Sequence, residues 1–441
     1  MRIWMLIGGG AMLGGWVPAF AAAQPSLQTL YSFSGGADGG TPAGQLVPGA
    51  GLNFFGTTES GGAGSAGTVF EIQAGGQGGA TLTTLYSFAG GADGAGPTNM
   101  VADWRGNLFG VTNAGGGSSN CGGGGCGTIF ELSPSQGGGW TEKVLYAFQG
   151  SPDGFVPNSV GMDAAGNLFG FALGGAGECR FEGGYLQCGT AFELSPPAPG
   201  SQAWTFKLVY TFTSDRDGAA PFGPPVFGNN GIVIGAAAVG GRGHPKVCGP
   251  QIGCGFVFKL VPPANGQTEW TKKIIYQFHG PDGNGGFDPV VADPAGNLYG
   301  MTNEGGPANP LCPENRRTGV PAGCGVAFEL TPPTSGDGQW TYHKIWDFLY
   351  GPDGAYPYNS PLTFANGAVF GTSSGPNGAV VEFLPPQQGQ TSWTEKTLFA
   401  FSNDANGAQP EAGLTARGAF YGTTAGLGQA GSWGTVFRIS P

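Results

Sequence analysis

With three histidines (His244, His279 and His343) and only 10% charged residues, any cluster of ionisable side chains in this chain stands out. Such clusters fall in a few loops. One carries Glu178, Arg180, Phe181, Glu182 and Tyr185, and a second carries Arg242, His244 and Lys246, with Asp215 and Arg216 in the preceding turn. A third carries Glu314, Asn315, Arg316 and Arg317, and a turn beyond it carries Tyr350, Tyr356 and Tyr358. Guanidinium forks grip carboxylates through paired hydrogen bonds, and tyrosine rings offer flat apolar faces to sugars. Arg180, Tyr185, Arg216, Arg242, His244, Arg316, Arg317, Tyr356 and Tyr358 are therefore the candidate ligand-binding residues.

Catalysis at the same place would take one of two forms. A lyase would use His244, His279 or a tyrosine as base, with Arg216, Arg242, Arg316 or Arg317 neutralising a uronate carboxylate. A hydrolase would need two carboxylates at a set separation, and Glu178, Glu182, Asp215 and Glu314 are available. No spacing compels either reaction, and long loops also need polar residues simply to stay solvated. His343 lies in a strand pattern and reads as packing.

Other catalytic signatures are weak. Gly371-Thr-Ser373-Ser-Gly375 fits a nucleophile elbow, but a chain with 90 glycines produces such a match by chance. It also ends a strand without leading into a helix. The recurrent Asp-Gly pairs offer one carboxylate per turn, short of the six to eight oxygens calcium takes, so they read as turn caps. Neither a metal nor a cofactor is expected.

The elements that position these loops follow from composition and repetition. Of 441 residues, 90 are Gly and 35 are Pro, which excludes long helices, while 12% aromatic content argues against disorder. A formal charge of −11 opposes nucleic acid and anionic membranes as partners. Residues 1–23 pair Met1-Arg2 with an apolar run and Ala21-Ala22-Ala23, a secretory signal pattern. No later segment has the ~20 apolar residues of a membrane span, nor does an apolar anchor close the sequence. The expected location is outside the cytoplasm, secreted or periplasmic.

An aromatic tetrapeptide recurs at Leu30-Tyr-Ser-Phe33, Leu85, Leu145, Val209, Ile275, Ile345 and Leu398. Each copy is followed by an Asp-Gly turn (Asn406-Gly407 in the last), an apolar segment, and a strand such as Asn107-Leu-Phe-Gly110. A variable loop leads to a strand of the type Gly127-Thr-Ile-Phe-Glu-Leu132. Trp140, Trp204, Trp270, Trp340 and Trp393 each stand five residues before a tetrapeptide, in a stretch that alternates with period two. Four short strands per repeat and seven repeats predict an all-β, seven-bladed β-propeller over residues 24–441. Residues 27–33 supply only a fourth strand and residues 410–439 only three, so the N-terminal strand is expected to close the last blade and remove the free edges. The tryptophans are expected to pack blade on blade.

The ordered set Leu-Tyr-Ser-Phe, Asp-Gly-x-x-Pro, Gly-Asn-Leu-Phe-Gly and Gly-Thr-x-Phe-Glu-Leu resembles the Gloeo/Verruco (GloVer) tandem-repeat family over nearly the whole mature chain. The resemblance implies a secreted or surface repeat protein and supplies no catalytic residues. Some members carry a C-terminal sorting anchor.

Eight cysteines fall in four local pairs, Cys121/Cys126, Cys179/Cys188, Cys248/Cys254 and Cys312/Cys324, each between the second and third strands of its blade. Phase-locked placement in a secreted chain selects local disulfides among the 105 connectivities, each worth roughly 2–3 kcal/mol. Zinc sites prefer shorter gaps and often histidine. In propellers the cysteine loops and the Asp-Gly turns share one face, which is where a ligand would sit. The expected protein is a monomeric extracellular binding module for carbohydrate or a cell-surface partner. The alternative is a polysaccharide-active enzyme, lyase before hydrolase, using the loops of blades three to six.

Overall fold

Strands in this chain are short because Gly and Pro punctuate the sequence throughout, and four of them in a row make one antiparallel sheet. In the computed structural model, blade one is built from Gly40–Pro48, Asn53–Ser60, Thr68–Ala74 and Ala80–Ser87, hydrogen-bonded in that order. The same order recurs over 95–147, 155–211, 219–277, 291–347 and 363–400. The structure describes residues 25–440 except 76–78, 176–179, 182–183, 186–187, 214–216, 242–247, 249–252, 265, 286–287, 313–322, 335–337 and 427–432, and of 180–181 and 184–185 only the backbone.

Blade seven is composite. Thr415–Ala416, Phe420–Thr424 and Thr435–Ser440 come from the C-terminal end, and Ser26–Ser32 completes the sheet. Ser26 pairs with Ser440 and Ser32 with Thr435, so the ring closes as expected. The fold is a seven-bladed β-propeller.

The tetrapeptide departs from plain alternation. Ile129 pairs with Tyr146 and Phe130 with Val144, which leaves Leu145 as the extra residue of a bulge. The same slip skips Leu30, Leu85, Val209, Ile275, Ile345 and Leu398. It buries the Phe that closes each tetrapeptide, as at Phe88, Phe148 and Phe212, and leaves the Tyr half-buried towards the next turn.

Neighbouring blades are joined in three ways. Trp140 meets Phe55 of blade one at 5.7 Å, Trp204 meets Phe109 of blade two at 5.7 Å, and Trp270 meets Phe169 of blade three at 6.1 Å. Second, the residue three after each turn aspartate or asparagine has a positive φ, including Thr41 (54°), Val156 (53°), Tyr356 (51°) and Gln409 (55°). That conformation is strained for β-branched residues. Here it aims the N–H at a carbonyl of the preceding blade: Thr41 at Trp433, Val156 at Cys126, Tyr356 at Cys324 and Gln409 at Asn377. Third, the proline that follows lies on the glycine opening the preceding blade's third strand, as Pro157 does on Gly127 and Pro410 on Gly378. A side chain on those glycines would overlap the ring. The Asp-Gly-x-x-Pro and Gly-Thr-x-Phe motifs are thus two halves of one contact.

Candidate functional site

Strand pairing fixes which face carries which loops. Gly40 pairs with Ser60, so the start of the first strand and the end of the second lie at one end of the blade, together with the Asp-Gly turn and the second-to-third-strand loop. The Asp-x-x-Gly turns and the Pro-Pro turns lie at the other end.

On the first face the turn aspartates are held by the chain itself. Asp38, Asp93, Asp153, Asp217 and Asp282 accept a hydrogen bond from the tetrapeptide tyrosine of the same junction, Tyr31, Tyr86, Tyr146, Tyr210 and Tyr276, at 2.6 to 3.1 Å. Trp346 Nε1 does the same for Asp353 at 2.9 Å. Backbone N–H groups of Ala89, Gln149, Thr213 and His279 bind the same carboxylates. These aspartates are latches. Burial raises the pKa of Asp38, but hydrogen bonds from Ser34 and Tyr31 outweigh it and the net direction is down. At Asp217 burial is likewise outweighed, first by Lys272, whose ammonium is buried over the Phe256 ring at 4.9 Å.

The cysteine loops are stapled as expected at Cys121–Cys126, Cys248–Cys254 and Cys312–Cys324, with Cα separations of 5.3, 5.2 and 5.5 Å. Cys188 is also disulfide-bonded, and its expected partner Cys179 lies outside the described residues. Each described staple fixes a loop whose carbonyl, at Cys126, Cys254 or Cys324, receives an N–H from the next blade.

Most of the loop residues singled out in the sequence lie outside the described residues: Glu178, Glu182, Asp215, Arg216, Arg242, His244, Lys246, Glu314, Asn315, Arg316 and Arg317. Arg180 and Tyr185 sit in a small hairpin, Arg180–Phe181 paired with Gly184–Tyr185, whose side chains are likewise outside the description. His279 is exposed, with Nδ1 3.1 Å from Asp282 Oδ2, so it caps a latch. The Tyr356 hydroxyl is buried without a partner among the described residues, and its ring meets Tyr350 edge-on at 6.2 Å.

Tyr358 is placed differently. It lines a cavity of about 190 Å³ at the mouth of the central channel, with its ring 6.0 Å from Phe222. Blades one, two, three, six and seven bring Glu59, Asn113, Asn158, Asn359 and Glu411 to the same cavity. Asn158 is engaged, donating to Pro221 O at 2.9 Å and accepting from Gly223 N at 3.1 Å. The two glutamates have no hydrogen-bond partner among the described residues. Burial in the ring wall raises the Glu59 pKa, and burial and then the Glu59 charge raise that of Glu411, with no hydrogen bond holding either one low. Glu59 is exposed where it lines the cavity, yet the surrounding wall denies its carboxylate full solvation. Burial, Glu411, Glu59 and Asp288 all push the Tyr358 phenol up.

Asp288 lies deeper. It is 1% exposed, accepts from Ser360 N at 2.8 Å, leaves Oδ2 without a partner among the described residues, and burial lifts its pKa to about 8. Among the described residues no group of three or more His, Cys, Asp or Glu is placed to hold a metal. Apart from Tyr358, which the sequence had offered, the channel residues escaped sequence reasoning because Glu59, Glu411 and Asn113 come from three different repeats. Their one shared signal is position, at the end of a second strand (Glu59, Asn113) or just before a first strand (Glu411).

Ring, latches and channel define a seven-bladed β-propeller whose turn-bearing face opens on an acidic channel mouth. Over residues 5–182 the chain matches the model of the Gloeobacter/Verrucomicrobia repeat, the family its motifs resemble. A search of curated proteins finds no match. Among solved structures, the PQQ-bound aldose sugar dehydrogenase from Streptomyces coelicolor is similar at 11% identity and TM-score 0.43, covering 95% of this chain and 99% of that one. A gluconolactonase from Xanthomonas campestris is similar at 12% identity and TM-score 0.40, covering 79% and 86%. A carbohydrate-active enzyme from Trichoderma reesei is similar at 10% identity and TM-score 0.42, covering 95% and 96%. At such identities these likenesses say nothing of substrate or reaction. No helix among the described residues is long and apolar enough to cross a membrane.

Proposed function

We propose that the mature chain is an extracellular or periplasmic binding module that takes a carbohydrate at the mouth of its central channel. One observation carries this reading: Glu59 and Glu411 converge with Asn113, Asn359 and Tyr358 on one cavity, while the turn aspartates are consumed by latches. Carboxylates and amides that have no partner among the described residues are ready acceptors and donors for vicinal hydroxyls, and Phe222 and Tyr358 supply the apolar surface a sugar ring also needs. At about 190 Å³ the cavity is below the roughly 300–1,000 Å³ of drug-sized sites. It suits a single sugar residue or a chain end. The disulfides support an oxidising compartment, and the acidity of the chain speaks against nucleic acid as partner.

A second reading follows from the raised pKa values of the same two glutamates. Two carboxyls that face a common cavity, both raised by burial and Glu411 further by the Glu59 charge, are the residue types a glycosidase uses as acid and base. This orders hydrolase ahead of lyase among enzymatic readings. The test is calorimetry of oxidatively folded protein against mono-, di- and oligosaccharides, with product analysis of the same mixtures. Binding weakened at least tenfold by Tyr358→Ala, at unchanged melting temperature, supports the binding reading. New reducing ends abolished by Glu411→Gln would establish the hydrolase. Saccharide binding that ignores Tyr358→Ala, or none across the panel, would sink both.

A further inference from the structure

We propose that the groove between blades five and six, on the face opposite the channel mouth, is a separate binding site for a linear, neutral oligosaccharide. The groove encloses about 880 Å³, within the roughly 300–1,000 Å³ of small-molecule sites. Its wall is aromatic. Phe364 is 38% exposed and meets Tyr299 edge-on at 5.0 Å, and Trp393, half-buried, meets the same ring at 6.3 Å. Its floor is polar: the Tyr299 hydroxyl donates to Glu329 Oε1 at 2.9 Å and lies 3.4 Å from Asp293 Oδ2. His343 and Lys344 form an exposed rim.

Comparison between blades shows what sets this junction apart. Where blades one to four meet, the ring under the tryptophan is Phe55, Phe109 or Phe169, with no hydroxyl. At the third of these junctions Phe227 joins Phe169 and Trp270 in an apolar contact. At blades five and six the corresponding ring is Tyr299, so an aromatic wall and a hydrogen-bonding floor occur in one groove.

Asp293 is committed to its turn, accepting from Ala295 N, Asn297 N and Asn297 Nδ2 at 2.8 to 2.9 Å. Glu329 spends only Oε1 on Tyr299, and its other oxygen has no partner among the described residues. That leaves an acceptor for a sugar hydroxyl beside two rings for stacking. The carboxylates would repel a uronate, which selects a neutral chain. The site is independent of the channel mouth. With both occupied, one molecule would bridge two glycan segments from its two faces.

The experiment is calorimetry with xylo-, cello- and manno-hexaose on the full mature protein, with hydrogen–deuterium exchange to locate the bound face. At least one hexaose should bind and slow exchange over 363–369 and 391–397. Phe364→Ala should weaken that binding at least tenfold, and Glu329→Gln, which keeps shape and volume, about fivefold or more. Failure of all three hexaoses to bind would overturn the proposal. So would protection confined to 41–43, 356–360 and 409–412, which would leave the channel-mouth reading standing alone. Binding indifferent to both variants, or restricted to uronate oligomers, would overturn it as well.

Discussion

Glu59 of blade one and Glu411 of blade seven, from opposite ends of the chain, share one electrostatic environment at the channel mouth. Ring closure brings them together, so neither can be placed by local sequence. Removing one charge should release the other. We expect Glu59→Gln to lower the Glu411 pKa towards the ordinary carboxylate range, read by side-chain carboxyl chemical shifts in an NMR pH titration. Burial remains the larger cause, so the shift should be partial. An unchanged Glu411 titration would mean that the two do not interact.

The glycine that opens each third strand is predicted to be intolerant of substitution. At Gly378, φ is 93° and an added Cβ would overlap Pro410 and the Ser373 carbonyl. Gly389 has a similar φ, 88°, but open space around it. Both Gly→Ala variants carry the strain of a left-handed backbone, about 1 kcal/mol. Gly378→Ala should add an overpacking cost of about 1–3 kcal/mol. Thermal unfolding should therefore rank Gly389→Ala clearly above Gly378→Ala, and equal melting temperatures would refute the proline–glycine contact as a blade-joining element.

One half-buried and one buried acid set a pH window for stability. Glu142 is lifted to about 7, first by burial and then by Asp93, and its Oε1 has no partner among the described residues; Asp288 is lifted to about 8 by burial. A carboxyl with a raised folded-state pKa contributes stability that is complete below its unfolded pKa and is lost as pH rises through the folded value. The wild type should therefore lose stability between about pH 4.5 and pH 7 through Glu142, and on to about pH 8 through Asp288. Glu142→Gln should make the first part shallower, with Asp288 still sloping there, and raise stability at pH 8 by about 1 kcal/mol, allowing for solvent screening of a half-buried group. Asp288→Asn should make the slope shallower from about pH 4 upward and remove most of what is left between about pH 7 and pH 8. Denaturant melts at pH 4.5, 6, 7.5 and 9 would test this, and a wild-type profile that rises across the range would contradict it.

How much of this was legible beforehand depends on the distance over which each contact acts. The blade count and three of the cysteine pairs were readable because each is carried within one repeat, and repeats advertise themselves; the closing strand was readable because the first repeat lacks three strands and the last lacks one. Trp140 and Trp204 were readable as inter-blade packing from strand period alone. The bulge at Leu145 was not, because a slip of one residue leaves the apolar pattern intact. The channel mouth was hidden for another reason: Glu59, Asn113, Tyr358 and Glu411 meet only after seven blades have closed. The loops of blades three to five, by contrast, drew notice by local charge.

The tyrosine–aspartate latch separates a structural role for the Asp-Gly turns from a ligand-binding one. Tyr146 donates to Asp153 at 2.6 Å, and its ring stacks on Phe206 at 4.0 Å. Tyr146→Phe keeps the stack and removes the hydrogen bond, which to an ionised acceptor is worth about 1.5–3 kcal/mol. The junction between blades six and seven already has the substituted form, with Phe399 and Asn406 in these places and Thr29 Oγ1 bonded to Asn406 Oδ1 at 3.1 Å. Asn should therefore tolerate the site once the phenol is gone. In a double-mutant cycle, Tyr146→Phe and Asp153→Asn should each destabilise alone, and the pair should cost at least 1 kcal/mol less than their sum. If Asp153 instead served a bound cation, calcium would raise the melting temperature of the wild type, Asp153→Asn would abolish that rise, and Tyr146→Phe would leave it intact. Additive single effects together with such a calcium response would overturn the latch.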